Sequence, residues 1–169
     1  IHIKKNIPVA AGMAGGSSNA AAVLVGLNKL WNLNLSNQQL EKIGLKLGAD
    51  VPFCINGGAA LAQGIGEELT YIKGLSKDTV ILVCKPNLFV STKEVYECID
   101  SKDIDKRPNN KFLIECLKNE DTRQLAENMF NVLEGVTMDK HPVIQQIKDI
   151  MTNNRALGAM MSEAVQQFL

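Results

Sequence analysis

PVAAGMAGGSSNAAA, residues Pro8 to Ala22, reads as a strand entry, a glycine loop and the start of an alanine-rich helix. Gly12, Gly15 and Gly16 let the backbone turn its N–H groups inward without steric cost. A helix N-terminus adds a partial positive charge, and the Ser17-Ser18 pair adds hydroxyls. Together these make a seat for an anion, most often phosphate. A tight strand-to-helix turn with no ligand would use the same residues, so the flanking sequence has to decide.

Working outward, Ile1, Ile3 and Ile7 fit a strand that feeds the loop. Beyond it, Ala20, Val23, Leu24, Leu27, Leu30 and Trp31 recur at helical spacing and predict an amphipathic helix ending near Asn32. Ser36 and Gln39 have the spacing of a capping box, opening a helix with Leu40, Ile43, Gly44 and Leu47 on its apolar face and Gly48 as its stop. Val51 to Ile55 is apolar but interrupted by Pro52, and a helical turn and a strand both fit it. Ala59–Ala62 and Leu69–Ile72 flank the Gly64-Ile65-Gly66 turn as a β-hairpin. The unbroken apolar run Val80–Cys84 has the form of a strand buried on both faces.

Ser91 and Glu94 form a second capping box, with Val95 and Ile99 facing inward. A polar loop, SKDIDKRPNNK at 101–111, divides the chain. Helices are expected over Phe112–Leu117, Thr122–Leu133 and Pro142–Met151, the last with Val143, Ile144, Ile147, Ile150 and Met151 as its buried stripe. Gly158–Ser162 reads as a closing strand.

Composition removes several classes of function. Eighteen basic and eighteen acidic residues cancel, so there is no global field to draw nucleic acid or an anionic membrane. Aromatic residues are only 5% of the chain, too few for a base-stacking platform. No apolar run approaches the length of a membrane span. Cys54, Cys84, Cys98 and Cys116 are widely spaced, without a C-x-x-C pair, and neither His2 nor His141 lies near one. That spacing holds no metal and suits reduced, mostly buried thiols in a cytosolic protein.

Three stretches taken together are far more specific than any one of them. PVAAGMAGGSSNAAA is followed by GADVPFC at Gly48–Cys54 and by GGAALAQGIGE at Gly57–Glu67. This combination resembles the GHMP kinases, whose phosphate loop is P-x-x-x-G-L-x-S-S-x. Within them it is similar to the kinases of 4-diphosphocytidyl-2-C-methyl-D-erythritol in the non-mevalonate isoprenoid pathway. The resemblance runs from Ile1 to about Ser162. The loop is neither a Walker P-loop, since no G-K-[ST] follows the glycines, nor a dinucleotide G-x-G-x-x-G.

The resemblance implies an α+β fold of two domains, with a mixed sheet carrying helices on one side and the active site in the interdomain cleft. Residues 1–79 would be part of the N-terminal, ATP-binding domain and 80–169 part of the C-terminal one. ATP would lie on the loop Pro8, Val9, Ala10, Ala11, Gly12, Met13, Ala14, Gly15, Gly16, Ser17 and Ser18, with the two serine hydroxyls on phosphate or its Mg²⁺. Asp50 matches the aspartate that takes the proton from the attacking substrate hydroxyl. By position alone, Asp50 after a helix-ending glycine is a cap or turn residue. Thr92 and Tyr96, in STKEVY, resemble positions that contact the cytidine end of the substrate, although a Tyr at helical spacing also serves as half-buried packing. The implied partners are ATP and the cytidine-diphosphate-linked methylerythritol, with no nucleic acid, no membrane and no resident metal site, in a bacterial cytoplasm.

The sequence departs from the family's pattern at three places. A P-x-K-x-N-like strand, whose lysine works with the aspartate, is expected ahead of Ile1. Asn19 stands where the family usually has Asp after the serines, which alters either Mg²⁺ contact or capping. The closing strand should run into a loop of the form S-G-S-G-P-T, and Glu163–Leu169 does not have that form. Two readings therefore stand beside an active small-molecule kinase: a nucleotide-binding but catalytically incomplete fragment, and a sister GHMP kinase acting on mevalonate, homoserine or a sugar. The GADVPFC and GGAALAQGIGE pair argues against the sister kinase.

Overall fold

The glycine-rich stretch does open a helix. In the computed structural model, which describes residues 2–4, 6, 12–64, 66–88, 90, 95, 97–99 and 107–162, α1 spans Gly15–Leu30. It is followed by α2 (Asn37–Leu45), α3 (Val51–Asn56) and the strands β1 (Ala59–Gln63) and β2 (Glu68–Ile72). After residues 95 and 97–99, which are helical, come α4 (Asn110–Asn119), α5 (Thr122–Asn128), α6 (Glu134–Lys140) and α7 (Val143–Asn153). The class is α+β. Among the described residues the sheet is one antiparallel pair, with Ala59 opposite Ile72 and Gln63 opposite Glu68. Chain contacts divide the molecule into two units, Ala14–Gly74 and Ile1–Met13 with Leu75–Leu169.

Local chemistry explains the elements of Ala14–Gly74. At the start of α2 the Ser36 side chain accepts from the Gln39 N–H at 3.3 Å, and the Gln39 side chain accepts from the Ser36 N–H at 2.8 Å. This reciprocal box satisfies donors that a helix start leaves over. The ambiguous segment after Asp50 is helical, with Pro52 in the first turn, where its missing N–H costs nothing. α2 and α3 pack closely because Gly44 has no side chain. A Cβ there would lie 2.8 Å from Val51 Cγ1 and 3.1 Å from Ile55 Cδ1. Leu40, Gly44, Val51 and Pro52 are buried, as is Ala21 of α1. Asn56, at the end of α3, hydrogen-bonds Asn37 and Glu41 of α2 and the Tyr71 hydroxyl of β2.

The second unit is built around Val90, Val95, Ile99, Leu133, Val136, Ile144, Met151 and Met161. Gly158 lets the closing segment lie on α5, since a Cβ there would sit 2.6 Å from the Ala126 carbonyl oxygen. An apolar groove of about 530 Å³ runs beside it, lined by Val80, Leu82, Leu125, Met129, Ile150 and Leu157 among others.

Several expectations are corrected. Val80–Cys84 is not a strand, and Val80 is 92% exposed and Leu82 64%. An apolar run becomes a buried strand only with partners for its backbone, and among the described residues none lies beside this one. Leu30 and Trp31 are exposed, because among the described residues nothing covers the last turn of α1. Ile43, Leu47 and Ile150 are exposed as well, with Ile150 at the edge of the α7 face, on the groove. The helix from Thr122 stops at Asn128, and 129–133 turns the chain into a further helix, α6. At Gly158–Ser162, Met161 alone forms a β-bridge. Residues 2–4 and 6 are not in a strand. Ile1, Ile7, the Ser91–Glu94 box and residues 101–106 lie outside the described residues.

Candidate active site

The site is built from two helix starts. α1 begins after Ala14, whose left-handed backbone (φ 45°, ψ 33°) turns the chain into the helix, while Gly12 just upstream has φ 64°. The Ser18 N–H closes the first turn on the Ala14 carbonyl at 2.8 Å. No side chain caps this end, and its first turn holds no acidic residue. A Cβ on Gly15 or Gly16 would meet nothing within 4 Å. A helix start leaves its first-turn N–H groups without intrahelical partners and carries a partial positive charge. Ser17 and Asn19 are half-buried beside it and Ser18 is exposed.

Asp50 stands at the start of α3, exposed, with its carbonyl accepting from the Cys54 N–H at 3.1 Å. Its carboxylate does not cap the helix. The reason is local: the backbone at Asp50 is already helical (φ −83°, ψ −12°), and the second helical residue is a proline without an N–H to offer. The carboxylate is held on a rigid base, since the neighbouring Val51 is 1% exposed and wedged against Gly44. Ser18 Oγ lies 3.6 Å from Cys54 Sγ, which brings the first turn of α1 beside the start of α3. The N–H groups of one helix start and a carboxylate are thus carried on adjoining helix ends.

Of the residues singled out in the sequence, Gly12–Ser18 lie at the turn into α1 and its first residues, and Asp50 at the start of α3. Pro8, Val9, Ala10, Ala11, Thr92 and Tyr96 lie outside the described residues. Cys54 was missed as a contact of the loop serine, because nothing in GADVPFC announces a partner 36 residues upstream. The four cysteines are in no disulfide, Cys116 buried and the others half-buried. Burial, with the Asp121 and Glu115 carboxylates adding to it, pushes the Cys116 thiol up, so it remains a protonated packing group. Among the described residues no group of three His, Cys, Asp or Glu could hold a metal ion.

The family model for the GHMP kinases N terminal domain matches residues 1–58, a span that includes the glycine loop and Asp50. The chain belongs to the GHMP kinases. The similarity extends well past that span. A protein of Clostridioides difficile (strain 630) named 4-diphosphocytidyl-2-C-methyl-D-erythritol kinase is 68% identical over 96% of this chain and 55% of its own length. A protein of the same name in Caldicellulosiruptor bescii is 52% identical over 96% of this chain and 56% of its own. The crystal structure of a 4-(cytidine 5'-diphospho)-2C-methyl-D-erythritol kinase superposes with a TM-score of 0.79 at 31% identity, covering 98% of this chain and 58% of that one. This GHMP kinase chain spans about half the length of the relatives it matches. No described helix is long and apolar enough to cross a membrane.

Proposed function

We propose that the full-length protein transfers the γ-phosphoryl group of ATP to the 2-hydroxyl of 4-diphosphocytidyl-2-C-methyl-D-erythritol, in the bacterial cytoplasm. The observation that carries the proposal is the pairing of an uncapped, side-chain-free helix start at Gly15–Gly16 with the uncapped Asp50 carboxylate at the next helix start. The N–H groups of the loop Pro8–Ser18 would hold the triphosphate. Mg²⁺, carried on its oxygens, would supply charge neutralisation, with the Ser17 and Ser18 hydroxyls within the same turn. Phosphoryl transfer asks chiefly for positioning and neutralised charge. The remaining task is a proton acceptor, and the Asp50 carboxylate takes the proton from the substrate hydroxyl as that oxygen attacks. Asn19 lacks the charge an Asp would add beside the phosphates. Thr92 and Tyr96 would hold the cytidine end, Tyr96 by stacking on the base. Residues 1–79 and 80–169 are parts of the ATP-binding and second domains in this reading.

In the full-length protein, Asp50→Asn should lower kcat at least about a hundredfold while ATP affinity and stability stay as they are. A coupled ADP-release assay on the cytidine substrate, with urea unfolding as the control, reads both. Near-normal turnover in that variant would remove Asp50 from the chemistry. For the 169-residue chain alone, which spans 55% of its 68%-identical relative, the same assay should show nucleotide binding with little or no turnover.

A further inference from the structure

Met161 is fully buried, and side chains hydrogen-bond both of its backbone polar groups. Glu134 Oε1 accepts from the Met161 N–H at 2.5 Å, and Asn131 Nδ2 donates to the Met161 carbonyl at 2.7 Å. Asn131 is itself fixed, since its Oδ1 accepts from the Leu133 N–H at 2.9 Å. Glu134 is 5% exposed, and its other oxygen accepts from Lys148 Nζ at 2.6 Å, so the buried carboxylate is paired. Burying a carboxylate to hold one residue is costly unless its oxygens are satisfied, as these are. The next residue in the chain, Ser162, donates its hydroxyl to the Gly12 carbonyl oxygen at 3.5 Å. A peptide unit is planar and trans, so its C=O and N–H point opposite ways. A hydroxyl on the Gly12 carbonyl therefore sets the direction of the Met13 N–H, a donor of the glycine loop.

We propose that Asn131 and Glu134, backed by Lys148, are positioning residues that clamp Met161 and thereby, through Ser162, orient the Gly12–Met13 peptide of the phosphate loop. The proposal rests on the kinase reading for its consequence, tighter ATP binding, but not for the clamp itself. It also accounts for a charged pair in a core that apolar residues would fill as well. An apolar pair would pack, but it would remove the acceptor that Glu134 gives the Met161 N–H.

Two double variants of the 169-residue chain separate positioning from packing. Glu134→Gln with Lys148→Met keeps an acceptor for Met161 and removes both charges. Glu134→Leu with Lys148→Met keeps the packing and removes the acceptor. Amide exchange and ¹⁵N–¹H spectra report on Met161 and Met13, and titration with MgATP reports on the loop. The Gln/Met pair should match wild type within about twofold in exchange at both amides and in Kd. The Leu/Met pair should exchange at Met161 at least about tenfold faster, shift the Met13 amide and raise the Kd for ATP about fivefold or more. Ser162→Ala, which removes one half-buried hydroxyl and leaves the core alone, should shift Met13 and raise the Kd with Met161 still protected. An unshifted Met13 in Ser162→Ala, or a loosened Met161 with Met13 and Kd unchanged, overturns the proposal. A wild-type chain that binds no MgATP would instead count against the kinase reading, and the Met13 spectra would still decide the clamp.

Discussion

The units Ala14–Gly74 and Leu75–Leu169 with the first thirteen residues are held together in different ways. In the first, each element packs on one near it in sequence: α1 on α2 and α3, α2 on α3, β1 on β2. Among the described residues its buried set is small, and its candidate site residues sit at exposed helix starts. In the second, the core joins residues as distant as Val90 and Met161, and side chains of the 129–133 turn and of α6 bind a backbone about thirty residues away. A unit made of neighbours can present a site at its surface and still be rigid. A unit made of distant segments must spend buried polar groups on registration.

The comparison makes graded predictions. Ile144, fully buried at the centre of the distant-segment core, should cost the most on truncation, with Ile144→Ala lowering unfolding free energy by about 2–5 kcal/mol in urea. A loss under about 1 kcal/mol would show that this core is not what holds the unit. Gly44→Ala tests the close approach in the other unit. Overpacking against the stiff Val51 side chain, about 1–3 kcal/mol, should outweigh the roughly 1 kcal/mol that Ala gains in a helix. A stabilised Gly44→Ala would mean that α2 and α3 can part without penalty. Ser36→Ala removes the capping box and should cost about 1 kcal/mol, read in the same unfolding curves. Val80→Lys should change stability by less than about 0.5 kcal/mol, because the side chain is already in water. A loss of several kcal/mol there would restore the buried strand that its apolar neighbours suggest.

The same contrast decides what could be read from residues alone. The capping box at Ser36 and Gln39, the helix after the glycines and the hairpin about Gly64–Gly66 all appear where their patterns place them. Each depends on residues within a few positions, and the pattern is the interaction. The helix break after Asn128 and the helix from Glu134 were not legible. Glu134 looks like a surface residue until the packing puts Met161 and Lys148 around it. Val80–Cys84 failed for the matching reason: hydrophobicity states a demand for burial, and only a partner can supply it.

For the site, the sequence by itself determined the parts: a glycine loop running into a small-residue helix, and a carboxylate after Gly48. Backbone propensity and steric freedom act locally, so those parts are legible in order. That Asp50 leaves its own helix uncapped follows from Pro52, two residues on, but the rest needed the folded chain. Ser18 meets Cys54, and Ser162 reaches Gly12, across 36 and 150 residues. Such contacts are set by how helices pack and where buried polar groups find partners, which no window of neighbouring residues contains.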